Sequence, residues 1–304
     1  MTGQVVLEAA GRQVEITHPD KVVFPSHSDA GPYSKLDLVR YYLSVADGAL
    51  RGVAGRPMIL KRFVKGIAQE AVFQKRAPEK RPDWVDVAEL RYASGTSAKE
   101  AVIRDAAGLA WVINLGCIDL NPWYARCDAN DRPDYLHFDL DPVKGAGLEE
   151  VRQTALVLRD ALDGLKMPSY PKSTGSRGIH VYVPIVRGPT QKEVWGVSKA
   201  IAQALAIARP GLITAEYRIA KRPLGRVLVD YNQNAWGRTL ASVYSVRPRP
   251  RAPVSAPVTW REVERGFQID DFRVDNMAAR VAKQGDLWKP LLARTGRFRL
   301  ERLR

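Results

Sequence analysis

The acidic residues at the end of one alternating stretch are the part of this sequence best suited to chemistry. Residues 134–141 read Asp-Tyr-Leu-His-Phe-Asp-Leu-Asp, in which apolar residues alternate with His137, Asp139 and Asp141. A period of two predicts a β-strand with one buried face, so these three side chains share the opposite face. Pro142 cannot continue a central strand, which places the carboxylates at the C-terminal end. Two carboxylates one repeat apart repel each other unless a cation lies between them, which favours a divalent-metal site; an exposed edge strand ending in Asp-Pro is the alternative.

A glycine-containing stretch, residues 173–180, reads Ser-Thr-Gly-Ser-Arg-Gly-Ile-His. Gly175 and Gly178 permit tight turns with exposed backbone N–H groups, and such groups bind anions. Thr174 adds a hydroxyl group and Arg177 a cation. The stretch lacks the Gly-Lys-Ser/Thr ending of a Walker A loop, and a strand rather than a helix is expected after it. The alternative is a solvent-exposed turn beside a surface histidine, His180.

A third carboxylate lies at the end of another alternating stretch, residues 226–231, Arg-Val-Leu-Val-Asp-Tyr. Asp230 is followed by a polar loop that contains Arg238, and Arg247 comes shortly afterwards. Guanidinium groups suit bidentate contacts with phosphate. Three carboxylates at strand ends, a glycine turn and a set of arginines together suggest two-metal phosphoryl transfer.

The composition favours a globular protein with a polyanionic partner. The chain of 304 residues is 45% hydrophobic, and its 47 basic against 33 acidic residues give a net charge of +14. Binding to a phosphate backbone releases counterions, which favours nucleic acid as the partner; solubility alone is the alternative. Cys117 and Cys127 have no histidines at zinc-like spacing. The sequence shows neither a signal-peptide pattern nor an apolar run of membrane-spanning length, so we expect a cytosolic protein without a membrane partner.

The elements that must hold these residues can be read from periodicity and caps. Ser34 with Asp37 predicts the start of a helix through a capping-box variant. The other predicted elements are a hairpin in residues 1–18, strands at Met58–Phe63, Ala110–Leu115 and His180–Ile185, and helices at Leu148–Leu165 and after Thr190.

Together these motifs resemble those of a known family. The stretches Asp139-Leu-Asp141, Ser-Thr-Gly-Ser-Arg-Gly-Ile-His180 and Val-Asp230-Tyr-Asn-Gln-Asn resemble the three motifs of archaeo-eukaryotic primase-type polymerases. More closely, the chain resembles the polymerase domain of bacterial DNA ligase D, which serves end joining. Supporting stretches are residues 18–25, 55–57, 72–75, 108–111 and 242–247, and the match extends over nearly the whole chain.

The resemblance implies an α/β (α+β) fold with a primase-type catalytic core, mixed and antiparallel sheets, flanking helices and a packed N-terminal module. It implies one primase-polymerase domain over residues 1–304, with a DNA-binding module at 1–125, a catalytic core at 126–258 and a helical tail at 259–304. With no ligase or nuclease module in the sequence, a free-standing relative is expected.

The resemblance also implies roles for individual residues. Asp139, Asp141 and Asp230 would be catalytic and would bind two divalent metal ions, Mn²⁺ or Mg²⁺. The implied nucleotide-binding residues are Lys61, Val72, Phe73, Thr174, Gly175, Arg177, His180, Arg238 and Arg247. Within this set Lys61 would lie beside the nucleotide, and Val72 and Phe73 would cover the base. Lys21 and Lys35 match lysines that bind a 5′-phosphate on the downstream DNA.

The sequence departs from the family pattern at three positions. Asn121 stands where many relatives have histidine, Arg177 replaces the motif lysine, and Val72 replaces an aromatic residue beside Phe73.

The function implied is template-directed nucleotidyl transfer to a primer 3′-end at short gaps or breaks during DNA repair, with ribonucleotides preferred. The implied partners are gapped or broken duplex DNA with a 5′-phosphate, NTP or dNTP, and a ligase or end-binding protein acting in trans, in the nucleoid of a bacterial cytoplasm. Two alternatives stay open: a non-catalytic DNA-end-binding repair module and a metal-dependent nuclease.

Overall fold

The structure, a computed structural model, describes residues 3–92 and 94–303. The helices within these residues are α1 (Lys35–Ser44), α2 (Ala46–Val53), α3 (Ala106–Asn114), α4 (Leu148–Gly164), α5 (Gln191–Ala208), α6 (Trp260–Arg265) and α7 (Met277–Gln284). The strands are β1 (Gln4–Ala9), β2 (Arg12–Thr17), β3 (Val22–Phe24), β4 (Tyr33–Ser34), β5 (Pro57–Arg62), β6 (Val72–Gln74), β7 (Asp86–Arg91), β8 (Ser97–Val102), β9 (Asn121–Pro122), β10 (Tyr135–Pro142), β11 (Tyr170–Ser173), β12 (Ile179–Pro184), β13 (Ile213–Thr214) and β14 (Val227–Asp230). The predicted α/β class is confirmed.

The described residues form two compact units. The first unit comprises residues 3–92, 94–123, 239–256 and 270–286, and the second comprises Tyr124–Arg238, Pro257–Ile269 and residues 287–303. The division into modules at residues 125 and 258 stays a prediction. The residues of the predicted helical tail, 259–304, are divided between the two units, because α7 belongs to the first unit and α6 to the second.

The first unit contains a five-stranded sheet in which the order is β6-β5-β8-β7 and β9 also pairs with β5. The predicted N-terminal hairpin is confirmed as β1 and β2, which pair in an antiparallel manner. The predicted capping box is confirmed as well: the Ser34 side chain accepts the N–H of Asp37, and the Asp37 carboxylate accepts the N–H of Ser34 at 2.8 Å. This cap fixes where α1 begins, and therefore where its first residue, Lys35, points.

The predicted strand at Ala110–Leu115 was wrong, because the segment lies in α3. Asp105 caps this helix by accepting the N–H of Gly108 at 2.9 Å. From Ala107 to Ile113 every residue is buried. A helix buried on all sides is apolar throughout, so its sequence has no 3.6-residue period to distinguish it from a buried strand.

The second unit is built on a five-stranded sheet with the order β11-β12-β10-β14-β13. All neighbours are antiparallel except β13 and β14, which are parallel. The strand β10 lies in the centre, and its apolar residues Leu136, Phe138 and Leu140 are fully buried. An edge strand at this position was therefore the wrong alternative. Pro142 is the last residue of β10, as predicted from its missing N–H group.

Within residues 3–92 and 94–303, none of the helices combines the length and the apolar character needed to span a bilayer.

Candidate active site

Two of the three predicted carboxylates lie directly opposite each other. Asp139 on β10 pairs in register with Asp230 on β14. Directly opposed residues of antiparallel strands point to the same face of the sheet. The pleat also places Asp141, two residues further on, on that face. The structure thus brings the three carboxylates, here called the carboxylate site, to one face of the sheet, in the C-terminal half of β10 and at the C-terminal end of β14.

Burial and mutual repulsion set the protonation of this site. Burial raises the pKa of Asp141 to about 6, and the charge of Asp139 adds to the rise, while the Arg177 and Arg222 guanidinium groups oppose it. Burial also raises the pKa of Asp230, and Asp139 again contributes. Carboxylates that are clustered and half-buried favour the binding of either a proton or a cation. Arg222 was not identified from the sequence.

Asp230 is held by the turn that follows it. One carboxylate oxygen accepts the backbone N–H of Asn232 at 2.8 Å, and the other accepts the side-chain amide of Gln233 at 2.9 Å. Hydrogen bonds to both oxygens fix the orientation of the carboxylate. The sequence analysis missed the role of Gln233; the bond from the Asn232 N–H is the Asx-turn contact that an aspartate at a strand end favours.

Asn234, which is fully buried, joins this turn to the central strand. Its side chain accepts the N–H of His137 at 3.0 Å and donates to the carbonyl oxygens of His137 at 2.7 Å and Tyr231 at 2.9 Å. A backbone amide and two carbonyls are therefore satisfied by one side chain. The spacing between β10 and the end of β14 is fixed in this way, and so is the spacing of the carboxylates.

The glycine-containing stretch forms a tight loop between β11 and β12. The Thr174 hydroxyl oxygen accepts the N–H groups of Ser176 and Gly178, each at 3.1 Å, and the Ser173 hydroxyl accepts the N–H of Gly175 at 3.0 Å. These N–H groups are thus bonded within the loop, which differs from the exposed N–H groups that we expected. The assignments of Thr174 and Gly175 to the nucleotide stay predictions.

Both glycines of this loop are required by its geometry. Gly175 has φ +62°, a left-handed conformation that side chains disfavour. At Gly178 an added Cβ would lie 2.2 Å from the carbonyl oxygen of Leu140 on β10. At Gly178 the loop therefore approaches the central strand more closely than a residue with a Cβ atom would permit.

His180 lies beside the carboxylate site rather than on the surface. It pairs in register with Asp139, and its Nε2 is 3.1 Å from an Asp139 carboxylate oxygen. The side chain is buried, so the alternative of a surface histidine was wrong. The predicted contact with a triphosphate stays a prediction.

Two predicted arginines of the second unit lie in different surroundings. Arg177 is exposed, and its charge acts on Asp141, as the pKa of that residue shows. Arg238 is also exposed, and its guanidinium is 3.5 Å from the hydroxyl oxygen of Tyr217. The structure thus places Arg177 near the carboxylate site.

The chemistry of the carboxylate site fits hard divalent cations. Mg²⁺ and Mn²⁺ prefer carboxylate oxygens, and the raised pKa values of Asp141 and Asp230 show negative charge that a cation would stabilise. Among residues 3–92 and 94–303, however, no three acidic, histidine or cysteine side chains are grouped closely enough to hold one ion. The donor types therefore fit, and the ligand geometry is not preformed.

The first unit contains a second cluster of predicted residues around a buried aspartate. The Lys61 ammonium lies 2.8 Å from a carboxylate oxygen of Asp119, and the Arg247 Nε lies 3.7 Å from the same oxygen. Asp119 is 1% exposed. The sequence analysis did not identify Asp119, because residues 61, 119 and 247 are far apart in sequence.

The predicted base-covering residues form an exposed surface on β6. Val72 and Phe73 are 57% and 69% exposed. The Lys61 ammonium lies 5.9 Å from the centroid of the Phe73 ring. An exposed aromatic ring is suited to stacking on a nucleobase.

Lys21 and Lys35 line one cavity of about 280 Å³ in the first unit, here called the lysine cavity. Arg62 and Asn114 also line it. The Lys35 ammonium donates to the Thr17 carbonyl oxygen at 2.5 Å, and the Lys21 ammonium donates to the carbonyl oxygen of Val64. Burial lowers the pKa of Lys35, and the charges of Lys21 and Arg62 lower it further. Three cations that repel one another in a cavity favour an anionic ligand.

Comparisons with known proteins give one family. The sequence matches the family described as "LigD, primase-polymerase domain" over residues 34–288. It is 32% identical over 281 residues to the "Multifunctional non-homologous end joining protein LigD" of Mycolicibacterium smegmatis, which covers 92% of this chain and 36% of that protein. It is 29% identical over 274 residues to the "Bifunctional non-homologous end joining protein LigD" of Bacillus subtilis, covering 90% of this chain and 43% of that protein. The chain thus spans less than half the length of these relatives.

A solved structure is similar over nearly its whole length. The polymerase domain from Mycobacterium tuberculosis Ligase D, in complex with DNA, superimposes with a TM-score of 0.84 at 30% sequence identity. The match covers 91% of this chain and 97% of that one.

Proposed function

Because the chain belongs to the LigD primase-polymerase domain family, as its three motifs predicted, we propose that it is a template-directed nucleotidyltransferase in DNA end joining. Its substrates would be a primer 3′-end at a short gap or break in duplex DNA and a nucleoside triphosphate, with ribonucleotides preferred. In the reaction the primer 3′-hydroxyl oxygen bonds to the α-phosphorus, and the bond to pyrophosphate breaks. A ligase or end-binding protein acting in trans would complete the repair.

The observation that carries this proposal is the opposition of Asp139 and Asp230 on neighbouring central strands, with His180 beside Asp139. These are the acidic and histidine residues of the three family motifs, which lie far apart in sequence and meet on one sheet face. A nucleic-acid end-binding module without catalysis has no need of carboxylates on its binding surface, since they repel phosphate.

Asp139, Asp141 and Asp230 would hold two divalent ions, Mn²⁺ or Mg²⁺. When bound, the ions would supply electrostatic stabilisation of the charge that develops on the attacking and leaving oxygens. The chain's own contribution is to orient the ligands. Gln233 and the Asn232 N–H hold both oxygens of Asp230, and Asn234 fixes the turn against β10.

The nucleotide-binding residues that the family pattern implies carry positive charge, donate hydrogen bonds or present an exposed apolar or aromatic surface. Lys61 and Arg247 carry positive charge and are oriented by Asp119, and the Phe73 ring offers a stacking surface. Thr174, Gly175, Arg177, His180 and Arg238 would contact the triphosphate, and Val72 would cover the base with Phe73. Arginine suits this task because its guanidinium binds phosphate oxygens bidentately.

Extension of a labelled primer across a one-nucleotide gap tests the polymerase proposal. The assay compares rNTP with dNTP and Mn²⁺ with Mg²⁺, with a fully paired nicked duplex as the control. We expect one templated addition, faster with rNTP. Shortening of the primer would favour the nuclease alternative, and binding without extension would favour the non-catalytic module.

The lysine cavity would bind the 5′-phosphate of the downstream strand. A terminal phosphate carries more charge than an internal diester, so three clustered cations should select it. Fluorescence anisotropy on gapped duplexes with 5′-phosphate or 5′-hydroxyl ends tests this across a salt series. We expect tighter binding to the phosphorylated gap, and each lost contact should reduce the salt dependence by roughly one unit of slope.

Lys21→Ala/Lys35→Ala is the variant for this test, and Lys65→Ala is its control, because Lys65 is an exposed lysine outside the cavity lining. The double variant should lose the preference for the 5′-phosphate and the control should keep it. A preference retained in full by the double variant would place the phosphate elsewhere.

A further inference from the structure

Four ionisable residues form a row across the sheet of the second unit. Lys172 on β11 pairs in register with His180 on β12, His180 pairs with Asp139 on β10, and Asp139 pairs with Asp230 on β14. Residues opposed in antiparallel strands share a face, so all four side chains point to the face of the carboxylate site. We call this set the cross-strand row. Its positively charged end, Lys172, has no part in the function proposed above.

Lys172 is unusual because it is a lysine with 0% exposure. Its ammonium lies 5.9 Å from the centroid of the Tyr182 ring, which is also on this face of β12. A buried ammonium is costly unless negative charge or polar groups compensate it. The Asp139, Asp141 and Asp230 carboxylates point to the same face of the sheet and are a source of such negative charge.

We propose that Lys172 is a positioning residue that acts through its charge on the carboxylate site, where it weakens the binding of divalent cations and strengthens the binding of the triphosphate. This inference rests on the proposed function, because it takes the three aspartates as metal ligands. A single buried cation has opposite effects on the two ligands, since it repels a cation and attracts a polyanion. The ion would then bind weakly until the nucleotide brings further oxygen ligands.

The expected size follows from the spacing of strands. Lys172 and Asp139 are separated by two strand spacings, roughly 10 Å. At that distance, in a partly buried site, a unit charge still changes the affinity of a divalent ion by about tenfold or more. Salt has little influence on such an interaction, because Lys172 is shielded from solvent ions.

The test is direct Mn²⁺ binding in the absence of nucleotide and DNA, followed by the resonance of free Mn²⁺ at pH 8. Lys172→Met removes the charge and retains an unbranched side chain. We expect Mn²⁺ to bind about tenfold more tightly than to the wild type, while the KM for NTP at saturating Mn²⁺ rises several-fold. Lys192→Met, which removes an exposed lysine at the start of α5, should change neither quantity by more than about twofold.

A structural role of Lys172 predicts the opposite sign. Loss of packing would loosen the aspartates, so Mn²⁺ would bind more weakly and the melting temperature would fall. Unchanged Mn²⁺ affinity would also overturn the proposal, because it would mean that Lys172 is neutral or too remote. If Lys172→Met fails to fold, Lys172→Gln provides a second neutral variant, and Lys172→Arg, which keeps the charge, should keep the wild-type affinity within about twofold.

Failure of this inference can be distinguished from failure of the polymerase proposal. The affinity comparison requires no nucleotide incorporation. A wild type that extends primers and a Lys172→Met variant with unaltered Mn²⁺ affinity would overturn the role of Lys172 alone. A wild type that binds Mn²⁺ but adds no nucleotide would overturn the polymerase proposal and leave the charge effect measurable.

Discussion

The Lys61 ammonium donates a 2.8 Å hydrogen bond to Asp119, whose carboxylate is almost completely buried. The Ser245 hydroxyl lies 3.4 Å from the other carboxylate oxygen, and its oxygen accepts the N–H of Leu120 at 2.7 Å. Asp119 is therefore held by its own surroundings and serves as a fixed anion for a lysine that the family pattern assigns to the nucleotide. Orientation of a flexible lysine by a rigid anion reduces the entropy lost when it binds a ligand.

Asp119→Asn should destabilise the protein by about 1–3 kcal/mol. The substitution removes the charge that compensates Lys61 and Arg247, both of which are largely buried. Loss of one partner from a buried ion pair is costly because the other charge is left uncompensated, although partial exposure of Lys61 lets water recover part of the loss. Urea denaturation of the metal-free protein measures the change.

The control for this prediction is Asp86→Asn, which breaks the exposed pair of Asp86 with Arg104 in the same unit. Exposed ion pairs contribute little, so the control should lose less than about 0.5 kcal/mol. Equal losses in the two variants would show that burial of Asp119 has no energetic consequence.

Asp139→Asn should abolish primer extension while leaving DNA affinity within about twofold. The amide keeps the shape of the side chain but is a poor ligand for a hard cation, and the lost electrostatic stabilisation should reduce the rate by a factor of about 10³ or more. Gap filling in Mn²⁺ measures the rate, and anisotropy on the same gapped duplex measures binding. Extension at the wild-type rate would rule out Asp139 as a metal ligand.

The carboxylate site could be predicted because its information is local. The alternation of apolar and polar residues over 134–141 predicted the strand and its polar face, and Pro142 predicted where the strand ends. The register between β10 and β14 cannot be obtained in this way. It depends on long-range pairing, and here Asn234 makes the contacts that join the two strands.

Residues that act through tertiary contacts were missed for the same reason. Asp119 meets Lys61 and Arg247 only in the folded chain, and Lys172 looks like an ordinary lysine until the sheet buries it. The helix α3 was misassigned because burial on all sides removes the periodicity that identifies a helix.

Gly178→Ala should destabilise the second unit and reduce extension. The new methyl group would lie 2.2 Å from the Leu140 carbonyl oxygen, so the glycine loop or the central strand must move. Overpacking of this kind costs about 1–3 kcal/mol, and displacement of β10 would also displace Asp139 and Asp141.

Gly196→Ala is the matched control for this substitution. Gly196 lies inside α5, and a Cβ there meets no atom within 4 Å. Alanine in a helix interior is more stable than glycine by about 0.5–1 kcal/mol, so the melting temperature should rise slightly. A Gly178→Ala variant as stable and active as this control would contradict the close approach of the loop to β10.

Asp141→Asn should stabilise the metal-free protein at pH 8. Burial and the charge of Asp139 raise the pKa of Asp141 from 3.8 to about 6, so the ionised carboxylate destabilises the folded state. This cost is fully present above pH 6, decreases as the pH falls towards 3.8 because the folded state binds the proton first, and is absent below 3.8. The gain for the asparagine variant at pH 8 should be on the order of 1–3 kcal/mol and should shrink by pH 4.

Thermal unfolding in EDTA at pH 4, 6 and 8 measures this dependence, and Asp163→Asn, at an exposed aspartate of α4, is the control. The control should stay within about 0.5 kcal/mol of the wild type at every pH. Mn²⁺ should raise the melting temperature of the wild type more than that of Asp141→Asn, because the ion relieves the same repulsion that the substitution removes. A variant less stable than the wild type at pH 8 in EDTA would show that the Asp141 carboxylate stabilises the fold. Relief of an unfavourable charge on Asp141 could then not explain why a cation binds at this site.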